Sequence, residues 1–293
     1  MRARPVFLVT EPSHFDVRYQ INPWMRPDAW ASDPKGRRDA AIKASTALVE
    51  ALSLAGARIE IVPAVDGLPD LVFPANAAIV LDGKALLARF RFPERQGEEA
   101  VFNSAFALLK ARELIEDIIT LPDGVLQEGA GDAIWDADRE FFWAGYGQRS
   151  TESSITVIER VFGKEVVPLK LASERFYHLD TCFCPLAGGK VLYYPPAFTP
   201  VALRSIHAHV EPEDRIEASE EDANAFCVNA VNVCSHIIMA KAPRALRKRL
   251  ERAGFSLSEI DLAPFILSGG GAYCMTLRLD RVSEPARVAA PAE

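Results

Sequence analysis

The stretch from residue 40 to residue 63 reads AAIKASTALVEALSLAGARIEIVP and contains one complete unit of the fold. Its first part, Ala40 to Ala57, places apolar residues at helical spacing. Its second part, Ile59 to Pro63, is short and rich in β-branched residues. We therefore predict an amphipathic helix followed by a β-strand.

The same order of helix and strand recurs three more times along the chain. The further pairs of stretches are residues 100–114 and 118–121, residues 153–162 and 166–169, and residues 245–254 and 260–262. Between the first two units, two apolar runs flank Asp82-Gly83, which predicts a β-hairpin. The alternation predicts an α/β or α+β fold, for which a doubly wound parallel sheet is the default. Repeated units mixed with a hairpin favour a closed, radial arrangement instead.

Composition places the chain among ordinary globular proteins. Of its 293 residues, 49% are hydrophobic and 25% are charged, which suffices for a large core. We predict one domain over residues 1–282 and a disordered tail over residues 283–293, which consist mainly of Ala, Pro and charged residues. The net charge of −7 argues against nucleic-acid and anionic-membrane partners. The apolar runs are too short for a membrane span or a signal peptide.

The five cysteines predict a reducing compartment, because their number is odd and their spacing is not that of a disulfide scaffold. We therefore expect a cytoplasmic protein. We expect no metal site, because no set of Cys and His residues has suitable spacing. We also expect no cofactor, since neither a phosphate-binding loop nor a dinucleotide-binding motif occurs.

Cys274 follows three consecutive glycines in the run LSGGGAYCMT, residues 267–276. Glycine permits close approaches that a Cβ atom forbids, so this loop is suited to presenting a thiol to a ligand. A nucleophilic cysteine also needs a partner that handles protons and groups that orient the substrate.

His178 and Asp180 provide one candidate for that partner. In a strand, these two side chains would point to the same face, where an imidazole beside a carboxylate can act as a general acid/base. The alternative is a structural histidine beside a surface aspartate, because the His-x-Asp pattern is short and weakly specific.

Glu128 and Asp132 bracket a Gly-Ala-Gly turn, and Asp136 follows four residues later. Convergent carboxylates suit a planar guanidinium, which they bind with paired hydrogen bonds. An acidic surface turn is the alternative interpretation.

Two arginines and two asparagines complete the candidates. Arg95 and Arg149 lie near turns and could bind a substrate carboxylate, although most arginines form surface salt bridges. Asn22 and Asn76 are polar residues within apolar segments that contain proline, and each is either a pocket residue or a turn residue.

In this order, the motifs resemble those of the guanidino-group-modifying enzyme superfamily. Arginine deiminases, dimethylarginine dimethylaminohydrolases and amidinotransferases belong to that superfamily. The matching runs cover nearly the whole chain and are FD (15–16), INPWM (21–25), FPAN (73–76), RFPER (91–95), EGAGD (128–132), HLD (178–180) and GGGAYCMT (269–276).

The resemblance implies a five-bladed α/β propeller with pseudo-fivefold symmetry and a central site. It implies that Cys274 is the nucleophile and that His178 is the general acid/base. Glu128 and Asp180 would hold the guanidinium group of the substrate.

The resemblance also implies how the rest of the substrate is bound. Arg95 and Arg149 would bind the α-carboxylate of an arginine-like molecule. Asn22, Asp132 and Asp136 are further candidates for substrate binding.

Asn76 stands where deiminases and dimethylaminohydrolases commonly have aspartate. The chain is more similar here to the arginine dihydrolase domain at the N-terminus of larger cyanobacterial enzymes. That similarity predicts hydrolysis of arginine to ornithine, two ammonia molecules and carbon dioxide through a covalent thiouronium on the cysteine. A deiminase or dimethylaminohydrolase that forms citrulline, an amidinotransferase and a non-catalytic propeller binding protein remain alternatives. A homo-oligomer is neither indicated nor excluded.

Overall fold

The computed structural model describes residues 4–283. The predicted disordered tail, residues 283–293, lies outside the described residues except for Ser283, and the assignment of residues 1–282 to one domain stays a prediction. Within the described part, no helix has both the length and the apolar character needed to cross a lipid bilayer.

The described residues form short strands and helices in alternation. The strands are β1 Val6–Thr10, β2 Arg58–Val62, β3 Ala78–Leu81, β4 Lys84–Leu87, β5 Asp117–Ile119, β6 Ala133–Asp136, β7 Phe141–Tyr146, β8 Val166–Lys170, β9 Phe183–Pro185, β10 Val191–Tyr193, β11 Arg215–Glu217, β12 Val231–Val233, β13 His236–Ala240, β14 Ser256–Ile260 and β15 Leu277–Arg278. The helices are α1 Pro27–Ala31, α2 Pro34–Leu54, α3 Pro93–Ala111, α4 Ser154–Phe162, α5 Pro200–His209, α6 Glu220–Asn224, α7 Arg244–Arg252 and α8 Ala263–Ile266.

These strands form five three-stranded sheets with one common connectivity. In each sheet the central strand pairs antiparallel with one neighbour and parallel with the other. A helix connects each parallel pair, as a parallel crossover requires. The sheets have the strand orders β15-β1-β2, β3-β4-β5, β6-β7-β8, β9-β10-β11 and β12-β13-β14.

The first sheet joins the two ends of the chain. Its strand β15 pairs antiparallel with β1, and Leu277 lies opposite Leu8. The C-terminal strand therefore completes the sheet that the N-terminal strand begins.

Five apolar clusters fill the spaces between neighbouring sheets. Each cluster contains buried residues from two sheets that follow each other along the chain, and one cluster joins the fifth sheet to the first. In that cluster Ile238 of β13 packs with Phe7 and Val9 of β1. The packing order of the sheets thus returns to its starting point.

Three of the four predicted units are confirmed as α2 with β2, α3 with β5 and α4 with β8. Helix α2 begins at Pro34, earlier than predicted, because Asp33 caps it by accepting a hydrogen bond from the Gly36 amide. The Asp82-Gly83 hairpin is confirmed, with positive φ at both turn residues.

Two details of the predicted units are wrong. The strand of the fourth unit, β14, lies at Ser256–Ile260 rather than at residues 260–262. A fifth unit, α5 followed by β11, was missed. Strand β11 has only three residues, Arg-Ile-Glu, so it offers almost no apolar pattern to recognise.

Candidate active site

Five turns bring polar side chains together, and each turn leads into the strand that pairs antiparallel with the centre of its sheet. Residues 74–76, 129–131 and 179–181 are single 3-10 turns before β3, β6 and β9. Equivalent turns precede β12 and β15. The buried polar residues that these turns contribute are Asn76, Glu128, Asp132, His178, Asp180, Asn229 and Cys274.

Glu128 anchors the imidazole of His178. Its Oε2 atom lies 2.7 Å from Nε2 of His178 and 3.1 Å from Nη1 of Arg149, and all three side chains are buried. Burial alone would raise the pKa of Glu128, but Arg149 and His178 together lower the pKa well below its usual range. Glu128 is therefore a fixed carboxylate that orients the imidazole.

His178 and Asp180 do not share the face of a strand, so this prediction is wrong. The amide of Thr181 donates to the His178 carbonyl at 3.2 Å and closes a 3-10 turn over residues 179–181. Side chains two residues apart point to the same face in a β-strand but not in such a turn. His178 therefore contacts Glu128, whereas Asp180 contacts Cys274.

The Cys274 thiol is buried between an acceptor and a donor. Its Sγ atom lies 3.2 Å from Oδ2 of Asp180 and 3.1 Å from Nδ2 of Asn229. Burial raises the pKa of Cys274 well above its ordinary value, and the carboxylate of Asp180 adds to this effect. Without a substrate, the cysteine is thus a thiol that donates to Asp180.

Asp180 has an unused acceptor atom beside this thiol. Its Oδ1 atom is buried and accepts no hydrogen bond from any residue that the structure describes. Burial raises the pKa of Asp180 to about 7. An oxygen with this environment favours a ligand that donates hydrogen bonds and carries positive charge.

Two glycines of the loop before Cys274 are required by the surrounding protein. Gly269 has a φ of +84°, which favours glycine, and a Cβ atom on Gly270 would lie 2.1 Å from the ring of Phe73. These glycines thus permit a close approach between the loop and neighbouring protein groups.

Arg95 lies in the interior with most of its donors occupied. Its Nε and Nη2 atoms donate to Glu98 at 2.9 and 2.8 Å, and its Nη1 atom donates to Oδ1 of Asn76 at 2.8 Å. Nδ2 of Asn76 donates to the Glu128 carbonyl at 3.2 Å and lies 3.5 Å from Nδ1 of His178. Asn76 therefore connects Arg95 to the His178 imidazole.

Arg149 forms part of the wall of a surface pocket. Its guanidinium lies between the rings of Phe92 and Tyr177, with centroid distances of 4.5 and 4.6 Å. The pocket has a volume of about 530 Å³. Because Arg149 also pairs with Glu128, it lies between the pocket and the buried polar residues that the five turns contribute. The lining residues are Gln20, Ile21, Asn22, Pro23, Phe92, Gln148, Arg149, Glu174 and Tyr177.

Asn22 combines the two roles considered from the sequence. It lines this pocket, but its side chain is engaged in the local turn. Its Nδ2 atom donates to the Ser268 carbonyl at 3.0 Å, and its Oδ1 atom accepts from the amide of Trp24 at 2.9 Å. Asn22 therefore ties the N-terminal loop to the loop that carries Cys274.

Asp132 belongs to the cluster, whereas Asp136 does not. The Asp132 carboxylate accepts from the Ser150 hydroxyl at 2.6 Å and from the Leu179 amide at 3.0 Å, and burial raises its pKa to about 6. Asp136 lies at the other end of β6 from Asp132. Its Oδ2 atom accepts from Nε1 of Trp143 and Nη1 of Arg139, both at 2.9 Å. The structure thus gives Asp136 a structural contact in place of the predicted substrate contact.

Two buried polar residues at the site, Asn229 and Asp70, were not predicted from the sequence. Asn229 contacts the thiol, and Asp70 accepts hydrogen bonds from Tyr19 and Ser268 at 2.9 Å. Asn229 is a lone polar residue in the apolar run Cys-Val-Asn-Ala-Val, a signal that could have revealed it.

The pH dependence of stability tests the burial of Asp180. Its pKa is raised to about 7 in the folded protein, against about 3.9 in an unfolded chain. Between these two pKa values, Asp180 is deprotonated in the unfolded chain but still protonated in the folded protein. The free energy of unfolding therefore falls as pH rises through this range, and the full loss is reached above about pH 7. We expect Asp180→Asn to raise Tm more at about pH 8 than at about pH 4. The exposed Asp123→Asn variant is the control. An equal change at both pH values would contradict the assignment.

A family model described as N,N dimethylarginine dimethylhydrolase, eukaryotic, matches residues 11–281. The chain belongs to this family. Dimethylarginine dimethylaminohydrolases belong to the guanidino-group-modifying superfamily, so the resemblance that the motifs indicated is confirmed. A dimethylarginine dimethylaminohydrolase of Mycobacterium tuberculosis is 32% identical over 277 residues, which cover 93% of this chain and 85% of that relative.

Two cyanobacterial enzymes are more similar to the chain than this mycobacterial relative is. The bifunctional arginine dihydrolase/ornithine cyclodeaminase ArgZ of Synechocystis sp. is 43% identical over 95% of this chain and 38% of its own length. The corresponding enzyme AgrE of Nostoc sp. is 44% identical over 98% of this chain and 39% of its own length. The chain therefore spans about two fifths of the length of these relatives.

Solved structures of the ArgZ N-terminal domain agree with the fold. The N-terminal domain of ArgZ, an arginine dihydrolase bound to its product, has a TM-score of 0.90 and 41% sequence identity, covering 97% of this chain and 100% of that domain. An asparagine-to-serine variant of the same domain, covalently bound to a reaction intermediate, has a TM-score of 0.89 and 41% identity, covering 96% of this chain and 100% of that domain.

Proposed function

We propose that this protein hydrolyses the guanidino C–N bonds of arginine through a covalent adduct on Cys274. The observation that carries the proposal is the buried Oδ1 atom of Asp180, which lacks a partner in the described part of the chain and lies on the carboxylate that touches the thiol. A guanidinium that donates to Asp180 would place its carbon near the sulfur atom. Binding that aligns the reacting atoms removes much of the entropic barrier.

The charge of the site also favours a cationic substrate. The described site contains more buried carboxylates than buried guanidinium groups. A positively charged substrate would offset this excess of negative charge, so no cation from solvent would be needed. The carboxylates are Asp70, Glu98, Glu128, Asp132 and Asp180, and the guanidinium groups are Arg95 and Arg149.

The first hydrolysis proceeds through a thiouronium. The positive charge of the bound guanidinium stabilises the Cys274 thiolate, and His178 receives the thiol proton. Sulfur bonds to the guanidinium carbon, one C–N bond breaks, and His178 donates its proton to the departing ammonia. Glu128 holds the imidazole through its 2.7 Å contact during this step.

A water molecule then attacks the thiouronium carbon. His178 takes a proton from the water, the S–C bond breaks and citrulline forms. In the dihydrolase reaction Cys274 attacks the ureido carbon again. Ammonia leaves in this second attack, a second water molecule breaks the S–C bond, and the carbamate that forms splits into ornithine and carbon dioxide.

Arg149 is the better of the two predicted arginines for binding the substrate α-carboxylate. It lies at the surface pocket, whereas Arg95 is held inside by both oxygens of Glu98. We therefore assign the α-carboxylate to the side of the site that faces this pocket. Arg95 acts on the substrate through Asn76, to which it donates at 2.8 Å.

The dihydrolase reaction is preferred over single hydrolysis because Asn76 lies against His178 and because ArgZ and AgrE are described as arginine dihydrolases. For this chain, which spans about two fifths of those enzymes, we propose the arginine dihydrolase activity and not the ornithine cyclodeaminase activity. Dimethylarginine hydrolysis is the second candidate, supported by the relative in Mycobacterium tuberculosis.

The arrangement of the sheets supports the predicted five-bladed propeller. The sheets share one connectivity, and the apolar clusters join them in a cycle. In this proposal the five turns meet near a pseudo-fivefold axis, which explains why residues distant in sequence form one site. The five cysteines are free thiols, which supports the expected cytoplasmic location.

The products formed from arginine, citrulline and dimethylarginine test the proposal directly. Mass spectrometry that detects ornithine from arginine supports dihydrolysis. Citrulline as the final product indicates a deiminase, and dimethylamine indicates a dimethylaminohydrolase. A rise in turnover when glycine or ornithine is added indicates an amidinotransferase, and no reaction with any of the substrates indicates a binding protein.

Asn76→Asp should lower the ratio of ornithine to citrulline by about tenfold or more, since loss of a hydrogen bond within a charged site is worth ~1.5–3 kcal/mol. The carboxylate cannot donate to the Glu128 carbonyl or to His178, which Nδ2 of Asn76 faces. It also favours the cationic guanidinium over the neutral ureido group. Asn103→Asp, at an exposed position of α3, is the control. An unchanged product ratio in the Asn76 variant would show that this residue does not select the second round.

A further inference from the structure

Asn229 is buried next to the Cys274 sulfur atom, and the mechanism above does not use it. The side chain is 0% exposed and comes from the turn before β12, in the fifth sheet. Its Nδ2 atom lies 3.1 Å from Sγ of Cys274. A buried amide at this distance from a nucleophile affects both its position and its protonation.

The orientation of the Asn229 amide group is determined by its other partners. Its Oδ1 atom accepts from the backbone amides of Tyr273 and Cys274, at 3.0 and 3.2 Å. Its Nδ2 atom donates to the backbone carbonyl of Asp180 at 3.0 Å. Backbone amides only donate and carbonyls only accept, so a flipped amide would lose all three bonds. The NH₂ group must therefore face the sulfur atom.

Two side chains flank the sulfur atom with opposite effects, and the backbone of Gly271 also lowers its pKa. Asp180 accepts a hydrogen bond and favours the thiol, whereas Asn229 donates one and favours the thiolate. The other titratable groups near the thiol are the phenols of Tyr177 and Tyr273. Once a cation binds Asp180, Asn229 is the side-chain donor that remains on the sulfur, beside the backbone of Gly271.

We propose that Asn229 is a catalytic hydrogen-bond donor that holds the Cys274 sulfur in place and stabilises the thiolate on which the proposed hydrolysis depends. The same side chain connects the Asp180 turn to the Cys274 turn. It therefore keeps the group that binds the guanidinium and the group that attacks it at a constant separation.

The Asn229→Asp variant separates this role from a structural one. Aspartate keeps an oxygen for the two backbone amides but places a second oxygen against the sulfur. The pH midpoint for alkylation of Cys274 by iodoacetamide should rise by about one unit, so alkylation below the midpoint should slow about tenfold. Measurements use a Cys234→Ser background, because Cys234 is exposed. Peptide mapping identifies the alkylated cysteine.

Two further variants decide the outcome. Asn229→Ala should shift the midpoint in the same direction by a smaller amount, and this variant decides alone if the aspartate variant does not fold. Asn232→Asp introduces the same charge three residues away, in β12, where the side chain contacts Cys234, His236 and Ala187 rather than the sulfur. Its midpoint should equal that of the wild type. Unchanged midpoints in folded Asn229 variants, or an equal shift in the Asn232 variant, would overturn the proposal.

Turnover gives an independent measurement. Arginine hydrolysis by Asn229→Asp should be low near neutral pH and should recover as pH rises, whereas loss caused by a damaged fold would not recover. Alkylation requires no substrate. A shifted alkylation midpoint in a protein that does not turn over arginine would therefore refute the proposed function and leave the effect of Asn229 on the thiol established.

Discussion

Replacing Cys274 with serine will abolish arginine turnover, with kcat falling on the order of 10⁴-fold or more. The serine hydroxyl keeps a hydrogen-bonding group between Asp180 and Asn229, so the site should retain its shape. A hydroxyl is nevertheless far harder to ionise than a thiol and is the weaker nucleophile toward the guanidinium carbon. Substrate binding should persist while chemistry stops, which a binding isotherm and a product assay can measure on the same sample.

Cys234→Ser is the matched control for this substitution. Cys234 is exposed, whereas Cys274 is buried beside Asp180. The control variant should keep the kcat of the wild type. If Cys274→Ser retained full activity, a covalent role for this residue would be ruled out.

Replacing His178 with glutamine should trap the covalent intermediate. The guanidinium remains an electrophile and can still promote attack by Cys274, but the imidazole that protonates ammonia and activates water is absent. We expect kcat to fall by about 10²- to 10⁴-fold, the usual range for loss of a general acid/base. Intact-protein mass spectrometry after addition of arginine should show an adduct that the double variant with Cys274→Ser does not form.

His207→Gln is the matched control for the histidine. His207 bonds to the Tyr193 hydroxyl at 3.1 Å and has no contact with the cluster around Cys274. Its variant should turn over arginine at the wild-type rate without accumulating an adduct. If the His178→Gln variant stayed active and formed no adduct, a group other than His178 would have to carry out the proton transfers.

Much of the fold could be predicted from local pattern. Helix α3 and its strand β5 were recognisable because their apolar spacing is regular, and the Asp82-Gly83 turn identified its hairpin by residue type alone. Strand β11 was missed because its three residues, Arg-Ile-Glu, carry no apolar period, and without its strand α5 was not recognised as part of a unit. The pairing of β15 with β1 brings Phe7 opposite Arg278 and Leu8 opposite Leu277, and no local signal predicts a contact between the two ends of the chain.

The candidate site shows a similar division. Glu128, Asp132, His178, Asp180 and Cys274 were recognised by residue type and by glycine or aromatic neighbours, and the structure brings them together. Asp136 was included because it follows Asp132 closely in sequence. A β-strand moves about 3.3 Å per residue, so four residues along β6 carry Asp136 away from the cluster.

By itself, the sequence determined the units that have a clear apolar period and the residue types available for chemistry, because helix period, turn chemistry and side-chain identity are local properties. Only the tertiary structure decided that Glu128 orients His178, that Asp180 meets the thiol and that Asn229 donates to the same sulfur. Each of these contacts joins turns from different sheets. Their geometry depends on how the apolar faces of the sheets pack, and that packing involves residues from both ends of the chain.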